Sequence, residues 1–369
     1  MSRSSFHCPR LCIATVVGIL FGLIAMTLGN VALHQWSSEP AYVPTVIPQL
    51  TQATSEAFPE PVMPMFIKPE PITLLFVGDI MLDRQVAERS QKAKDPAYPF
   101  QKLPVGWFKQ VDYAIANLEG PVTDKRRPPE KTIDFQFDPS VIPILKEQGI
   151  DAVSQANNHA LDQGRIGSED SRTRLQAAGL LVFGDQVHDD AIALATTTIR
   201  GQRFAFIGFN TTDNPLDLVA ASSTLVQAQS SADHVIVYMH WGPEYKNRPP
   251  ASIIKEAQWL IDHGADIVIG GHPHWVQGIE LYKNKPIVYS LGNFIFDQDF
   301  SRETKEGLAM KVTIKDAQLV LEPIPLQINL SQPSLAEGED REKRLKELSA
   351  ISDPFLKEQI LTGRIVIAE

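Results

Sequence analysis

The sequence predicts an α/β domain held outside a membrane by one N-terminal helix. Three observations carry that prediction. From Ile72 to about Asn329, short β-rich runs alternate with amphipathic stretches; ahead of them lies a proline-rich segment; and ahead of that, Leu11 to Leu33 is almost unbroken apolar sequence. The 369 residues leave room for one large domain or two small ones once these appendages are removed. A hydrophobic content of 43%, a charged content of 21% and a formal charge of −10 describe an acidic globular protein. That balance argues against nucleic acid as a partner, and an anionic substrate would have to be met through bound cations.

Residues 1–10 read as a cytoplasmic tail and 11–33 as a transmembrane signal-anchor. The apolar run matches the roughly 20 residues that cross a hydrocarbon layer. Arg3 and Arg10 precede it and no acid appears before Glu39, so the positive-inside bias puts the N-terminus in the cytoplasm and everything downstream outside. A cleaved signal peptide is the competing reading. It is disfavoured because the run exceeds an h-region of about 7–15 residues and has no good small-x-small cleavage site. Both cysteines, Cys8 and Cys12, lie at or before the start of this helix, so an exported metal site must use His, Asn and carboxylates.

Residues 34–71 form a linker in which Pro40, Pro44, Pro48, Pro59, Pro61, Pro64, Pro69 and Pro71 are separated by Ser, Thr and Gln without a hydrophobic period. The main domain, 72–330, follows. Its helices are predicted at Val141–Gly149, Arg172–Gly179 and Ile253–His263, and its paired strands at Leu308–Ile314 and Leu319–Ile328, joined around Lys315-Asp316. Residues 331–369 add an extension, with a charged helix over Ala336–Leu348 and a last strand over Gly363–Ala368.

The chemistry collects at strand ends. Leu74–Val77 delivers Gly78-Asp79, Tyr113–Ala116 delivers Asn117-Leu118-Glu119, and Ala152–Ala156 delivers Asn157-Asn158-His159. Further on, His234–Met239 delivers His240-Trp241-Gly242, Ile267–Ile269 delivers Gly270-Gly271-His272-Pro273-His274, and Ile287–Leu291 delivers Gly292-Asn293-Phe294. Ligands of open α/β sheets gather at the carboxyl ends of strands, so these groups are predicted to share one cleft. Asp79, Glu119, Asn158, His240, His272 and His274 are donors suited to Mn, Zn or Fe, one or two ions per chain. A carboxylate can bridge two such ions. His159, beside a candidate ligand, is placed to protonate a leaving group. Asn157, Glu244 and Asn293 are candidates to contact substrate or to orient the ligands.

Some neighbours read either way. Trp241 and Tyr245 line a cleft or pack under a loop, and Asn157-Asn158-His159 also suits a turn with a capping asparagine. The basic cluster Lys125-Arg126-Arg127 engages a polyanion or, more often for such runs, is simply solvated. His7, His34, His188, His234 and His263 have no such setting and are read as structural or surface residues.

The ordered series Gly78-Asp79-Ile80-Met81, Asn117-Leu118-Glu119, Asn157-Asn158-His159, His240-Trp241-Gly242-Pro243-Glu244, Gly271-His272-Pro273-His274 and Ser290-Leu291-Gly292-Asn293-Phe294 resembles that of the bacterial capsule-synthesis CapA family. That family is associated with poly-γ-glutamate and belongs to the calcineurin-like metallophosphatase superfamily. The resemblance implies two packed β-sheets flanked by helices, with a dinuclear site at one edge. It gives Asp79 and His274 to the first metal, Glu119 to the bridge, Asn158, His240 and His272 to the second metal, and the leaving group to His159. Two positions depart from the superfamily: Met81 stands where its Asp-x-His motif has a ligand, and Glu119 replaces the usual bridging aspartate. The implied function is a membrane-anchored, extracytoplasmic, metal-dependent hydrolase of envelope-polymer biosynthesis. The implied partners are an anionic polymer or phosphoester and a capsule synthesis or export complex. A non-catalytic polymer-binding or export subunit and a general phosphodiesterase are the alternatives.

Overall fold

The computed structural model describes residues 70–184, 193–316 and 318–368. The tail, the expected span at 11–33, nearly all of the linker and His188 fall outside them. No helix among the described residues is long and apolar enough to cross a membrane.

Two mixed sheets lie face to face. The first has the order β14-β13-β12-β1-β2-β3-β4, built from β1 (Ile72–Ile80), β2 (Tyr113–Leu118), β3 (Ala152–Ser154), β4 (Leu181–Phe183), β12 (Glu306–Lys315), β13 (Gln318–Asn329) and β14 (Gln332–Leu335). Two more strands join it off this path: β11 (Asn293–Ile295) pairs with β1, and β15 (Ile365–Ala368) with β13. The second sheet runs β5-β6-β7-β8-β10-β9, from β5 (Leu194–Ile199), β6 (Gln202–Asn210), β7 (His234–His240), β8 (Ile267–Gly271), β9 (Ile279–Tyr282) and β10 (Lys285–Val288).

Alternation along each strand explains the layering. In β1, Leu74 and Phe76 face the second sheet and join Phe206, Ile236, Tyr238 and Ile269 in the central core. Leu75 and Val77 point the other way, toward α1 (Arg84–Ala93), α2 (Val141–Gln148) and α3 (Gly164–Ala177), where they meet Val86, Leu145 and Leu175. The far side of the second sheet buries Val237 and Val268 against Leu225 of α4 (Leu218–Ser231) and Leu260 of α5 (Ala251–Asp262). The inner strands are therefore covered on both faces, which is why they read as nearly continuous apolar runs.

The predicted helices appear with shifted ends. Arg172–Gly179 is only the second half of α3, whose polar first half, Gly164–Ser171, carries few apolar residues to mark it. Residues 331–369 supply β14, α6 (Gly338–Ile351), α7 (Lys357–Thr362) and β15, and both of these strands pair onto β13. The charged helix thus starts two residues later than its sequence pattern suggests and runs three further.

Candidate metal centre

Five of the six predicted donors stand where a parallel strand ends, and Asn158 lies in the turn four residues beyond β3. Asp79 lies at the end of β1, Glu119 just after β2, His240 at the last position of β7, and His272 and His274 just beyond β8. Strands β1 to β4 run parallel, as do β6, β7, β8 and β10, so these ends share an edge. The pairing of β1 with β2 shifts between Val77 and Asp79. Such an irregularity re-aims a side chain. It falls at Gly78, where an added Cβ would stand 1.9 Å from the Gly292 carbonyl oxygen.

The donors contact one another. Asp79 accepts from Asn117 Nδ2 at 2.8 Å and from the His272 backbone N–H at 3.2 Å, and it lies 3.4 Å from His274 Nδ1. His240 Nε2 is 2.8 Å from Asn158 Oδ1 and 3.2 Å from His272 Nδ1. Between these groups, Glu119 Oε1 lies 4.0 Å from His240 Nε2 and 3.9 Å from His274 Nε2. Two donor sets, Glu119/His272/His274 and Asp79/Glu119/His240, each fit within 4.8 Å and share Glu119.

Glu119 tests whether the site suits a cation. It is fully buried, and neither carboxylate oxygen has a hydrogen-bond partner. Burial, followed by Asp79, Glu244 and Asp162, pushes its carboxyl well above the ordinary range. An unpaired buried carboxylate is expensive, and a cation between the two sets would satisfy it. The imidazoles suit the same purpose. Burial, reinforced by the neighbouring histidines, holds His240 well below its usual value, and burial with His274 brings His272 to about 3. Both rings are thus neutral at neutral pH, as metal ligation requires. All donors are nitrogen or oxygen, and the set fits a divalent cation.

The loop that carries the last two candidate donors is held in unusual backbone. His272 has φ 88° and His274 φ 57°, values that residues other than glycine rarely adopt. Strain of this kind persists only where surrounding structure enforces it, and it clusters at functional sites. Met81 contributes nothing to the centre: it is fully buried in the apolar layer under α1 and α2, its sulfur accepting from the Asp83 N–H at 3.1 Å.

His159 stands beside this cluster with Nε2 4.0 Å from Glu119 Oε1. Its Nδ1 is 2.6 Å from Asp162 Oδ2, an oxygen that also accepts the Phe135 N–H at 2.8 Å. Asp162 therefore fixes the ring and leaves Nε2 facing the donors. Asn157 ties the loops together, donating to Asn117 Oδ1 at 3.1 Å and to the Leu118 carbonyl at 2.9 Å while accepting from the His159 N–H at 3.2 Å. Asn293 Oδ1 lies 2.9 Å from His274 Nδ1, which orients that ring. Glu244 sits at the rim, 3.9 Å from His274 Nε2.

A family model described as bacterial capsule synthesis protein PGA_cap matches residues 73–298, the stretch that holds every donor named above. The chain belongs to this family. Within the family's range of relatives, it is 32% identical to the capsule biosynthesis protein CapA of Bacillus anthracis, over 80% of this chain and 78% of that one. It is 30% identical to the PGA biosynthesis protein CapA of Bacillus subtilis, over 75% and 78%. A probable polyglutamine synthesis accessory protein of Mycobacterium tuberculosis is 24% identical, over 78% and 93%.

Other expectations resolve individually. Trp241 is fully buried and donates to the Tyr289 carbonyl at 2.8 Å, so it packs beneath the loop. Tyr245 instead lies over the site, its ring 6.0 Å from that of His274. The basic cluster is engaged internally: Lys125 with Asp124 at 3.1 Å, Arg126 with Gln136 at 3.0 Å, and Arg127 with the Asp162 carbonyl at 3.1 Å. His234 and His263 pack on Phe204 and Trp259, away from the centre. Two residues assigned no individual role from the sequence contact the cluster: Asn117, present there only within the Asn117-Leu118-Glu119 series, donates to Asp79, and Asp162, three residues after His159, holds its ring.

Proposed function

We propose that the chain is a membrane-anchored, extracytoplasmic protein of capsular or envelope-polymer biosynthesis, poly-γ-glutamate in the first instance, with a metal-dependent hydrolase centre. The observation that carries this reading is Glu119, buried with both oxygens unpartnered where two donor sets meet. Asp79, Glu119, Asn158, His240, His272 and His274 would together hold one or two cations, with Mn, Zn or Fe as the candidates. Such ions, when bound, polarise an electrophile and make a nucleophile available at neutral pH. The chain's own residues do the rest. His159, oriented by Asp162, delivers a proton from Nε2 to a leaving group. Asn293 and the backbone N–H of His272 fix the geometry of His274 and Asp79.

In this reading residues 11–33 cross the cell membrane once, the tail is cytoplasmic, and the linker lets the domain work at some distance from the bilayer within a synthesis or export complex. An anionic polymer or phosphoester is the substrate. Met81 favours a second reading, a non-catalytic subunit that binds or exports the polymer, because the residue two after Asp79 gives no nitrogen or oxygen donor.

Elemental analysis of the purified full-length chain, wild type against His272→Ala/His274→Ala, tests the centre. About two ions per chain, lost in the variant, together with Mn-dependent turnover of a phosphodiester that His159→Ala abolishes, is the expected result. Metal uptake without turnover of phosphoesters or γ-glutamyl polymer would establish the binding subunit, and no specific metal would end the hydrolase reading.

A further inference from the structure

The donors of the centre have acids beside them, yet one cation is fixed one aromatic ring away by interactions outside the donor set. Arg84 forms a fork with Asp297, Nε donating to Oδ2 at 3.1 Å and Nη2 donating to Oδ1. The Asp297 side chain is 3% exposed and that of Arg84 36%, so the carboxylate anchors the guanidinium from below while part of it stays open to solvent. The guanidinium lies 5.1 Å over the Phe135 ring and 6.0 Å over that of Phe296. These two rings are also the neighbours of the site: Phe135 packs 4.1 Å from the His159 ring and Phe296 4.9 Å from that of His274. One aromatic ring thus separates Arg84 from the proposed acid and another from a proposed ligand.

The backbone here is committed to this placement. Arg84 takes φ 50°, in the left-handed region. It is held there by Asp83, which accepts the Arg84 N–H at 2.7 Å through one oxygen and the Gln136 N–H at 2.8 Å through the other. A fork that uses Nε and Nη2 leaves Nη1 without a hydrogen-bond partner among the described residues. A guanidinium with one edge tied and another edge free is a pre-ordered donor for an oxyanion, since its orientation is set before the ligand arrives.

We propose that Arg84 is a substrate-docking residue, its free edge donating to a carboxylate or phosphate oxygen of the substrate next to the bond presented to the metal centre. The assignment rests on the centre proposed above but not on turnover. It makes acidic substrates the preferred class for a site whose own walls, Asp79, Glu119, Asp162 and Glu244, would otherwise repel them. Lys131, another cation beside the site, is already committed to the Asn158 carbonyl and, at 3.2 Å, to Asp162.

The test is calorimetric titration of the Mn-loaded full-length chain with a short γ-linked glutamate oligomer and, separately, with inorganic phosphate. Arg84→Ala is compared with Arg84→Lys and with Arg84→Ala/Asp297→Asn, which removes the carboxylate left unpaired should the single variant fold poorly. Metal content is measured on every sample. The proposal expects wild-type metal content in all variants and about ten-fold or greater weakening of one probe in the two alanine variants, with lysine between. The probe that weakens tells a carboxylate from a phosphate. Equal affinities in wild type and variants, or a metal-loaded wild type that binds neither probe, would overturn the docking role while leaving the centre standing. A chain that takes up no metal overturns the centre instead, and a surviving Arg84 effect in that chain would keep the docking role alone.

Discussion

Single residues at this site trade stability for readiness to bind. Glu119 is the clearest case. Its folded-state pKa is raised well above that of an unfolded glutamate, so folding of the metal-free chain takes up a proton above about pH 4.5 and stability falls as pH rises. Glu119→Gln removes that charge. In metal-free protein the two chains should melt together below about pH 4.5, and the gap in favour of the variant should widen by about 1.4 kcal/mol per pH unit above it, until the folded-state pKa is reached. Thermal melts across pH in the presence of chelator check this, and a gap of constant size would show that Glu119 is not the strained group. With metal added, the order should reverse, because only the wild type gains a ligand. Asp162 argues the complementary point. It touches no donor, but it holds His159 Nδ1 at 2.6 Å. Asp162→Asn should leave metal content unchanged and cost about 10²-fold or more in turnover. Combining it with His159→Ala should add little, because the two act as one unit. Additive losses would separate their roles.

At the scale of elements, the centre depends on how closely two strands and a loop approach. Gly78 lets β1 pass the Gly292 carbonyl, and any Cβ there would have to push β11 or bend β1, displacing Asp79 with it. Gly78→Ala should therefore destabilise the domain by about 1–3 kcal/mol and reduce metal content at the same time. Loss of stability with full metal occupancy would show that the backbone relaxes without moving Asp79. The same proximity explains what the sequence disclosed and what it hid. Strand ends carrying Asp79, Glu119, His240 and His272 were legible because apolar runs that stop abruptly at a polar group are local features. The joining of β5 to β6 through Arg200 and Gly201, both at positive φ, and the pairing of β11 with β1 were not legible, since they depend on register between distant segments. The place of Asn117 in a strand-end series was legible, but its role was not, because that lies in bonds to Asp79 and Asn157, 38 and 40 residues away.

For the whole molecule, the question is whether anchoring and chemistry are separable. Residues 66–369 form one compact unit, and every donor lies between Asp79 and His274 within it. Among the described residues, the two sheets bury their shared core between Ile72 and Ile367, within that unit. A chain lacking residues 1–65 should therefore fold, hold the same number of ions per chain as the full-length protein, and show the same rise in melting temperature when metal is added. That rise corresponds to about 2.7 kcal/mol at a free-ion concentration one hundred times the dissociation constant. Its location should differ completely: the full-length protein should sediment with membranes and resist extraction by salt, whereas the shortened one should remain soluble. Retention of the shortened chain on membranes would move the attachment into the folded domain. Loss of metal on truncation would make the N-terminal segment part of the centre, and the extracytoplasmic hydrolase would then have to be rebuilt as a device assembled at the bilayer.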